Sequence, residues 1–375
     1  MVLAWVLAAL LAGSIVYSVL AILAARNFLH APPPPPAPLP PVSVLRPLAG
    51  ADSGLERNLR STFEQDYPAF EILFATRNPA DPARAVAERL MGQYPHVPAR
   101  FILTGEPPYA NAKVFSLDTM AGAAAHDLLV MIDSDMYCPP GFLRQVASEF
   151  ADPRVGMSTC PYRAIPVASF WSRLEALGMN THFFAGIFTA RLLEGMRFTL
   201  GPTSTIRRQT LEQVGGWNAF REYLAEDFVI GQRVAQAGWT VVLSQAIPEH
   251  HIGGGEFREN LTHRVRWARS TRRSRPWGYT GEVFTQPLPF AIAAFLGWPM
   301  LWPLAAAALT LRAVLAYMVA TRVLGARLSR ADWMLLWIED AARFAFWLSG
   351  YFGNRIVWRG RTYRLNSDGR FDFVG

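Results

Sequence analysis

Two aspartates, Asp133 and Asp135, follow directly on the apolar run Leu128–Ile132. Side chains alternate along a strand, so two acids separated by one residue point to the same side at its end. Like charges repel, which makes such a pair an unfavourable start to a loop unless a cation lies between the carboxylates. Mg²⁺ and Mn²⁺ accept hard oxygen ligands and bind phosphates through one or two carboxylates. The pair is therefore a candidate metal site.

The chain contains a single lysine, Lys113, among its 36 lysine and arginine residues. It follows Asn111 and Ala112, ahead of a helix that we expect to begin near Val114. The dipole at a helix N-terminus favours anions, so a lysine there is a poor structural choice. Recruitment of a phosphate group would explain it, whereas chance survival in an arginine-rich composition explains it equally well.

A second acidic pair, Glu226 and Asp227, opens the apolar segment Phe228–Ala237, which Gly238 ends. Acids in the first turn of a helix interact favourably with its dipole, which is a sufficient structural reason for the pair. The functional interpretation is that one acid acts as a general base beside the reacting group.

A third acid, Asp81, lies in Asn78-Pro79-Ala80-Asp81-Pro82, just after a predicted strand. It can cap the next helix, with Pro82 at the first helical position. At the edge of the sheet its carboxylate can also accept from a pyrimidine base, and the two roles are compatible.

The segment from His263 to Arg275 is rich in arginine and includes Arg266 and Trp267. One interpretation is a basic patch on anionic lipid, worth about 1 kcal/mol per residue. Another is a clamp on a diphosphate, with Trp267 stacking. Nucleic acid is disfavoured as a partner because the segment adjoins a predicted membrane helix.

The composition excludes an ordinary soluble enzyme. The 375 residues are 51% hydrophobic with a formal charge of +7, and the mean hydropathy is +0.14. The two cysteines, Cys138 and Cys160, imply no disulfide framework and favour a reducing compartment for the catalytic part.

Alternating strands and helices follow residue 42. Short apolar runs predict buried strands, and the segments between them have helical character. This order predicts an α/β domain with a mostly parallel doubly wound sheet, whose ligands bind beyond the carboxyl ends of the strands. The predicted strands are Val42–Leu45, Phe70–Ala75, Arg100–Leu103 and Leu128–Ile132, and the predicted helices include Ser53–Asp66 and Asp81–Tyr94.

The apolar run Val2–Ala25 is long enough to span a bilayer, and Arg26 behind it favours a cytoplasmic catalytic domain. The helical segment Trp333–Gly350 carries three charges, which are unfavourable in lipid, so we expect an interfacial or re-entrant helix. The predicted organisation is a membrane anchor at 1–29, a Pro-rich polyproline II spacer at 30–41, a catalytic domain at 42–284, two transmembrane helices at 285–325, and an interfacial or re-entrant helix with a basic tail at 326–375.

Several stretches together resemble the inverting, family-2-type nucleotide-sugar glycosyltransferases, which have a GT-A-type fold. The nearest resemblance is to the ceramide glucosyltransferases, also called glycosyltransferase family 21, and to bacterial members associated with hopanoid lipids. The stretches span most of residues 42–364 and are VSVLRPLAGADSGLERNL, FEQDYPAFEIL, NPADPA, NAK, MIDSDM, YLAEDF, RVRW and WRGRTYRL.

The resemblance implies a role for each acid. Asp81 would contact the nucleoside, and Asp133 the diphosphate of the donor. Asp135 would complete a metal-binding pair with Asp133, which not every relative has. Asp227 would be the catalytic base.

The resemblance also places Arg266 and Trp267 in a (Gln/Arg)-x-x-Arg-Trp motif that binds the donor. The first position of that motif is His263 here, which is a departure from the pattern. His182 matches a functional histidine of the family only loosely, and a structural role also explains it. Glu226 and His263, like His182, are candidate residues for the acceptor side or for support behind the reacting groups.

The implied reaction is transfer of a hexose from a UDP-sugar, UDP-glucose above all, to a lipid hydroxyl such as that of ceramide. Lys113, Arg266 and Mg²⁺ or Mn²⁺ would stabilise the departing diphosphate, and direct displacement inverts the anomeric centre. The implied partners are the donor, the lipid acceptor and the bilayer, and the implied location is a bacterial inner membrane. Alternatives are a hopanoid-lipid transferase using UDP-GlcNAc, a processive polysaccharide synthase and a non-enzymatic sugar-nucleotide sensor.

Overall fold

The computed structural model of the protein describes residues 1–51, 54–253, 255–358 and 361–374. The α-helices are α1 Val2–Leu29, α2 Leu55–Phe63, α3 Pro82–Gln93, α4 Ala112–Ala123, α5 Phe142–Ser148, α6 Phe170–Gly178, α7 Phe184–Glu194, α8 Arg208–Gln213, α9 Glu226–Gln236, α10 Phe257–Ser274, α11 Pro276–Gly281, α12 Pro287–Gly297, α13 Trp302–Tyr317 and α14 Arg330–Ser349. The strands are β1 Val42–Pro47, β2 Phe70–Thr76, β3 Ala99–Leu103, β4 Leu128–Ile132, β5 Met136–Tyr137, β6 Val155–Thr159, β7 Arg163–Pro166, β8 Thr203–Arg207, β9 Thr240–Leu243, β10 Glu249–Ile252, β11 Arg355–Trp358, β12 Arg361–Leu365 and β13 Phe371–Phe373.

The main sheet has the strand order β3-β2-β1-β4-β8-β6-β9. Strands β3, β2, β1 and β4 run parallel. Strand β8 runs antiparallel to both of its neighbours, and β9 is parallel to β6. The prediction of a mostly parallel α/β sheet is confirmed, and the reversed strand β8 is an addition to it.

Buried side chains cover both faces of this sheet at its central strand β4, which is apolar throughout. All five residues of β4 are buried. Val130 packs into one apolar cluster with Val44, whereas Leu129 and Met131 pack into another with Leu45. Alternate residues of one strand thus serve two cores, which is the arrangement of a doubly wound sheet.

The observed elements lie close to the predicted ones. Strand β4 has the predicted bounds, and β1 and β2 extend one or two residues further. The helix predicted at Ser53–Asp66 is α2, and Ser53 itself lies outside the described residues.

The end of α1 packs against the α/β domain. Phe28 is buried, with its ring 4.7 Å from that of Phe188. Gln245 Nε2 donates to the carbonyls of Phe28 at 3.2 Å and Ala31 at 2.8 Å. The sequence predicted that the Pro-rich segment after α1 is a spacer that separates the domain from its anchor. In the structure these contacts instead hold the domain against the end of α1.

Two helical segments of the described chain are long and apolar enough to cross a membrane, Val2–Leu29 and Pro299–Val323. Helix α12 has 11 residues, and at 1.5 Å per residue it is about 17 Å long, short of a bilayer core of about 30 Å. The two transmembrane helices expected over 285–325 thus correspond to one segment of sufficient length and one shorter helix.

Helix α14 corresponds to the charged segment predicted at Trp333–Gly350. Its two central acids face into the protein: Glu339 binds Arg264 of α10, and Asp340 binds Arg312 of α13. An interfacial or re-entrant placement of this helix remains a prediction.

Candidate active site

Lys113 and Asp133 meet at the carboxyl end of β4. The lysine Nζ lies 2.7 Å from Asp133 Oδ1 and 2.9 Å from Oδ2, and it donates to the carbonyl of Gly201 at 3.1 Å. The Asp133 backbone N–H donates to the Pro202 carbonyl at 2.9 Å, which fixes the loop beside β8. The lone lysine and the first aspartate of the pair are thus direct partners.

The second acidic pair reaches the same lysine from the start of α9. Glu226 Oε1 lies 3.8 Å from Lys113 Nζ, and Asn111 Nδ2 donates to Glu226 Oε2 at 3.2 Å. A Cβ atom on Gly201 would lie 3.0 Å from Asp227 Oδ2 and 3.8 Å from Lys113 Nζ. Gly201 therefore lets the chain pass closely between the base candidate and the lysine.

Burial perturbs the protonation of this cluster. It raises the pKa of Glu226 to about 7, and it also raises the pKa of Asp227 above the usual range of a carboxyl group, although Lys113 acts in the opposite sense on both. Burial would lower the pKa of Lys113, but the carboxylates of Asp133 and Glu226 outweigh it and the net direction is upward. Lys113 is therefore a permanent cation at neutral pH.

Asp135 points to a different partner, His250. Strand β5 pairs antiparallel with β10 and sets His250 opposite Met136. His250 Nε2 lies 3.1 Å from Asp135 Oδ2. Burial lowers the pKa of His250, but Asp135 outweighs it, and the pKa lies above the usual value for histidine.

Two buried atoms of this pair have no hydrogen-bond partner among the described residues, Asp135 Oδ1 and His250 Nδ1. No group of three or more His, Cys, Asp or Glu side chains in the described chain is arranged to hold a metal ion alone. The carboxylates of Asp133 and Asp135, completed by phosphate oxygens and water, fit Mg²⁺ or Mn²⁺, which prefer oxygen ligands and retain positions for substrate. His250 would orient the Asp135 carboxylate within this pair.

Sequence reasoning missed His250. Its strand, Glu249-His250-His251-Ile252, reads as a short element with two histidines and no metal-ligand spacing. The contact arises from pairing between residues 115 positions apart. The alternation within β10 is the available signal, since it turns only one of the two histidines toward Asp135.

Asp81 caps α3, as predicted. Its Oδ1 accepts from the backbone N–H of Ala83 at 3.0 Å, and Gly50 N–H lies 3.0 and 3.1 Å from the two carboxylate oxygens. Asp81 thus joins the loop after β1 to the loop after β2, at the carboxyl edge of the sheet. Contact with a nucleoside remains a prediction.

Helix α10 carries the arginine-tryptophan motif. The ring of Trp267 lies 4.9 Å from that of His263 and 5.9 Å from that of Phe183. His263 Nδ1 lies 2.6 Å from Glu175 Oε1 on α6. His263 therefore links α10 to α6. Arg266, one position before Trp267, is half-buried.

His182 lies in a π-helical turn, Met179–Phe183, and its Nε2 is 3.3 Å from Thr285 Oγ1. Burial lowers its pKa well below the usual value, and neighbouring arginines add to the effect. His182 is thus a neutral, buried side chain that is hydrogen-bonded to Thr285. Its described contacts do not include the Lys113 cluster, and a role toward an acceptor remains a prediction.

The fold is that of the GT-A-type glycosyltransferases. It is similar to a mannosyltransferase from Pyrobaculum calidifontis, solved with GDP-Man and Mn²⁺, with a TM-score of 0.56 and 20% identity over 92% of this chain and 97% of that one. A model of glycosyl transferase family 21 matches residues 6–371, and the chain belongs to that family.

Two curated relatives are ceramide glucosyltransferases. Ceramide glucosyltransferase 1 of Caenorhabditis elegans is 29% identical over 218 residues, which are 58% of this chain and 46% of the relative. The ceramide glucosyltransferase of Komagataella phaffii is 24% identical over 88% of this chain and 84% of the relative. The chain thus spans about half the length of the nematode protein and most of the yeast one.

Proposed function

We propose that the protein is a membrane-bound inverting glycosyltransferase that moves glucose from UDP-glucose to the hydroxyl of a membrane lipid, with ceramide as the acceptor. The observation that carries the proposal is the convergence of Asp133, Glu226 and Asp227 on Lys113 at the carboxyl end of the sheet. Ligands bind at this edge in doubly wound sheets. The names of the relatives support the sugar and the lipid class.

The donor would lie across this edge. Asp81, on the loop after β2, would contact the nucleoside, and Lys113 the diphosphate, for which a compact ammonium is a suitable point charge. Arg266 and Trp267 would close the site from α10. The proposed contacts of Asp133 are with the diphosphate and with a metal that it shares with Asp135.

A divalent cation held by Asp133 and Asp135, with phosphate oxygens and water in its other positions, would neutralise charge that develops on the leaving diphosphate. The buried Asp135 Oδ1, which has no hydrogen-bond partner among the described residues, supports this pair. Lys113 contributes fixed positive charge to the same leaving group, and because it is already oriented, no reorganisation is needed during reaction.

Asp227 is the proposed base. It would take the proton of the acceptor hydroxyl as that oxygen attacks the anomeric carbon from the face opposite the diphosphate. One direct displacement inverts the configuration, so an α-linked donor gives a β-glycoside. The bond from the anomeric carbon to the diphosphate oxygen breaks as the glycosidic bond forms.

The acceptor lipid would approach from the membrane side. Phe184 and Phe188 are fully buried in the core and offer no surface to a lipid. Trp277 and Leu193 are instead exposed near the ends of α11 and α7. They support an acceptor path along this surface, next to the helices long enough to cross the bilayer. A bacterial inner membrane with a cytoplasmic catalytic domain remains the proposed setting.

A turnover assay tests the proposal. Purified full-length protein in detergent would receive UDP-glucose, UDP-GlcNAc or UDP-galactose, Mg²⁺ or Mn²⁺, and ceramide or a hopanoid polyol. A glucosylceramide product is expected. A hopanoid product would move the function to that alternative, a long polymer would indicate a polysaccharide synthase, and UDP binding without any product would favour a sensor.

Activity is expected to be lost at an unusually high pH as the solution is made more acidic. A base must be deprotonated, so activity is lost as the pH falls through its pKa, and burial raises the pKa of Asp227 and sets that of Glu226 at about 7. The profile of kcat/KM at saturating metal should therefore begin to decline at a pH above the range of an ordinary carboxyl group. A decline only near pH 4, the range of an ordinary carboxyl group at about 3.9–4.3, would contradict the assignment.

His250→Ala is expected to weaken metal binding by about 10-fold or more, because the hydrogen-bond partner that orients the Asp135 carboxylate is lost. Mn²⁺ binding in the presence of UDP, followed by electron paramagnetic resonance, measures the effect apart from turnover. His251→Ala is the matched control, since His251 Nε2 faces Glu249 Oε2 at 3.3 Å. Equal losses of Mn²⁺ affinity in both variants would show that His250 has no specific role at the metal site.

A further inference from the structure

The C-terminal tail forms a small antiparallel sheet of β11, β12 and β13. Aromatic rings fill one of its faces: the Trp358 and Phe371 centroids are 5.8 Å apart, and those of Tyr363 and Phe371 are 5.0 Å apart. We call this unit, residues 355–358 and 361–373, the tail sheet. Its aromatic cluster gives it a core of its own.

The tail sheet docks on the two loops that carry the active-site residues. Phe371 N–H donates to the Glu222 carbonyl at 3.0 Å, and Arg370 lies 3.2 Å from the Glu222 carboxylate. Leu224 is buried in the apolar cluster of the tail sheet, and Ala110 packs against that cluster. These contacts precede Glu226-Asp227 and Asn111-Ala112-Lys113 by only a few residues.

The connection from α14 to the tail sheet is also fixed. Arg269 Nε donates to the carbonyl of Phe352 at 3.1 Å, and Arg272 Nη1 donates to those of Gly350 and Tyr351 at 3.1 and 3.2 Å. Both arginines belong to α10, which carries Arg266. The tail sheet is therefore held against the active-site loops from two directions.

A cavity of ≈ 180 Å³ lies between the tail sheet and the carboxyl edge of the main sheet. One wall comes from the loops after β2 and β3, and the other from the tail sheet. The residues that matter are Arg77, Glu106 and Ala112 on the first wall, and Trp358, Arg361 and Tyr363 on the second.

The lining of this cavity matches the nucleoside part of a nucleotide. Trp358 and Tyr363 supply aromatic surface for a base, and Arg77 and Arg361 supply positive charge. Glu106, whose carboxylate lies 3.8 Å from Arg77, can accept from ribose hydroxyls. Because the cavity borders Ala112, a nucleoside bound there would have its phosphates directed toward Lys113.

We infer that the tail sheet completes the donor site and that the nucleoside of a nucleoside diphosphate binds in this cavity, between Trp358 and Arg361 and the loops of the main sheet. This inference rests on the proposed function, which supplies the nucleotide-sugar donor. Trp358 and Arg361 act as binding and positioning residues and take no part in the proton transfer.

UDP alone is the probe, because it lacks the sugar and the acceptor. Titration calorimetry of full-length protein in detergent should give a dissociation constant for UDP that rises about 5-fold or more in Trp358→Ala and in Arg361→Ala, the loss expected for a stacking or charged contact. In turnover assays the KM for the donor should rise while kcat changes little. Trp358→Phe should restore most of the affinity.

Arg364→Ala is the matched control. Arg364 is an exposed arginine on β12, and the alternation of side chains turns it away from the face that carries Arg361 and Tyr363. If Trp358→Ala fails to fold, the exposed Arg361 carries the test, since its removal leaves the aromatic cluster intact. Lipid turnover with unchanged UDP affinity in Arg361→Ala would overturn this inference and leave the proposed function standing. A wild-type protein that neither binds UDP nor forms product would overturn the inference and the proposed function together.

Discussion

Replacing Asp227 by asparagine is expected to lower kcat about 10²–10⁴-fold, the usual contribution of a positioned general base. The amide keeps the shape of the side chain and can still accept from the Phe228 N–H, which lies 2.9 Å from Asp227 Oδ1. It cannot take a proton from the acceptor hydroxyl. Initial rates of glucosyl lipid formation at saturating donor and acceptor measure the effect.

The dissociation constant for UDP separates loss of chemistry from loss of binding. It should change little in Asp227→Asn, because Lys113 and Asp133 are proposed to hold the diphosphate. Glu212→Gln, an exposed acid-to-amide change on α8, controls for the loss of a negative charge. If Asp227→Asn retained full turnover, the base would have to be another group, and Glu226 would be the next to test.

Much of this site was predictable because its residues lie next to the ends of local elements. Asp133 follows an apolar strand, Lys113 lies in the first turn of a helix, and Asp227 lies in the first turn of another. The carboxyl ends of parallel strands share one edge, so the rule that ligands bind there brings the first two together without coordinates. The contact between Lys113 and Asp133 at 2.7 Å is what that rule anticipates.

The parts that sequence reasoning missed depend on pairing between distant segments. His250 meets Asp135 only because β5, a strand of two residues, pairs with β10. The composition of the Pro-rich segment predicted a free spacer, because composition indicates only the local stiffness and reach of the chain. It does not report that Phe28 would pack on Phe188 and that Gln245 would hold the backbone just beyond.

The acids of α14 also have partners that are distant in the sequence and could not be predicted from it. Charges in an apolar segment indicated a helix outside the hydrocarbon, because an unpaired charge in lipid is unfavourable. In the structure Glu339 is fully buried against Arg264, and Asp340 against Arg312. The sequence could not pair these groups, since their partners lie 75 and 28 residues away.

Asp340→Ala is expected to destabilise the protein by about 3–5 kcal/mol, because it leaves the charge of Arg312 buried without its partner. The pair is bidentate, with Arg312 Nε 3.0 Å from Asp340 Oδ2 and Nη2 2.7 Å from Oδ1. Both side chains are buried, 1% and 3% exposed. The midpoint of thermal unfolding in detergent should fall by several degrees or more.

The double variant Arg312→Leu/Asp340→Leu distinguishes an unpaired charge from lost packing. Replacing both members of a buried ion pair by apolar residues is often neutral or stabilising, so the double variant should unfold at a higher temperature than Asp340→Ala. Arg312 Nη2 also donates to the Thr181 hydroxyl at 3.4 Å. The double variant loses this hydrogen bond, so it should recover only part of the lost stability. If the double variant were as unstable as the single one, the helices α13 and α14 would owe their stability to the shape of these side chains, and the charges would contribute little.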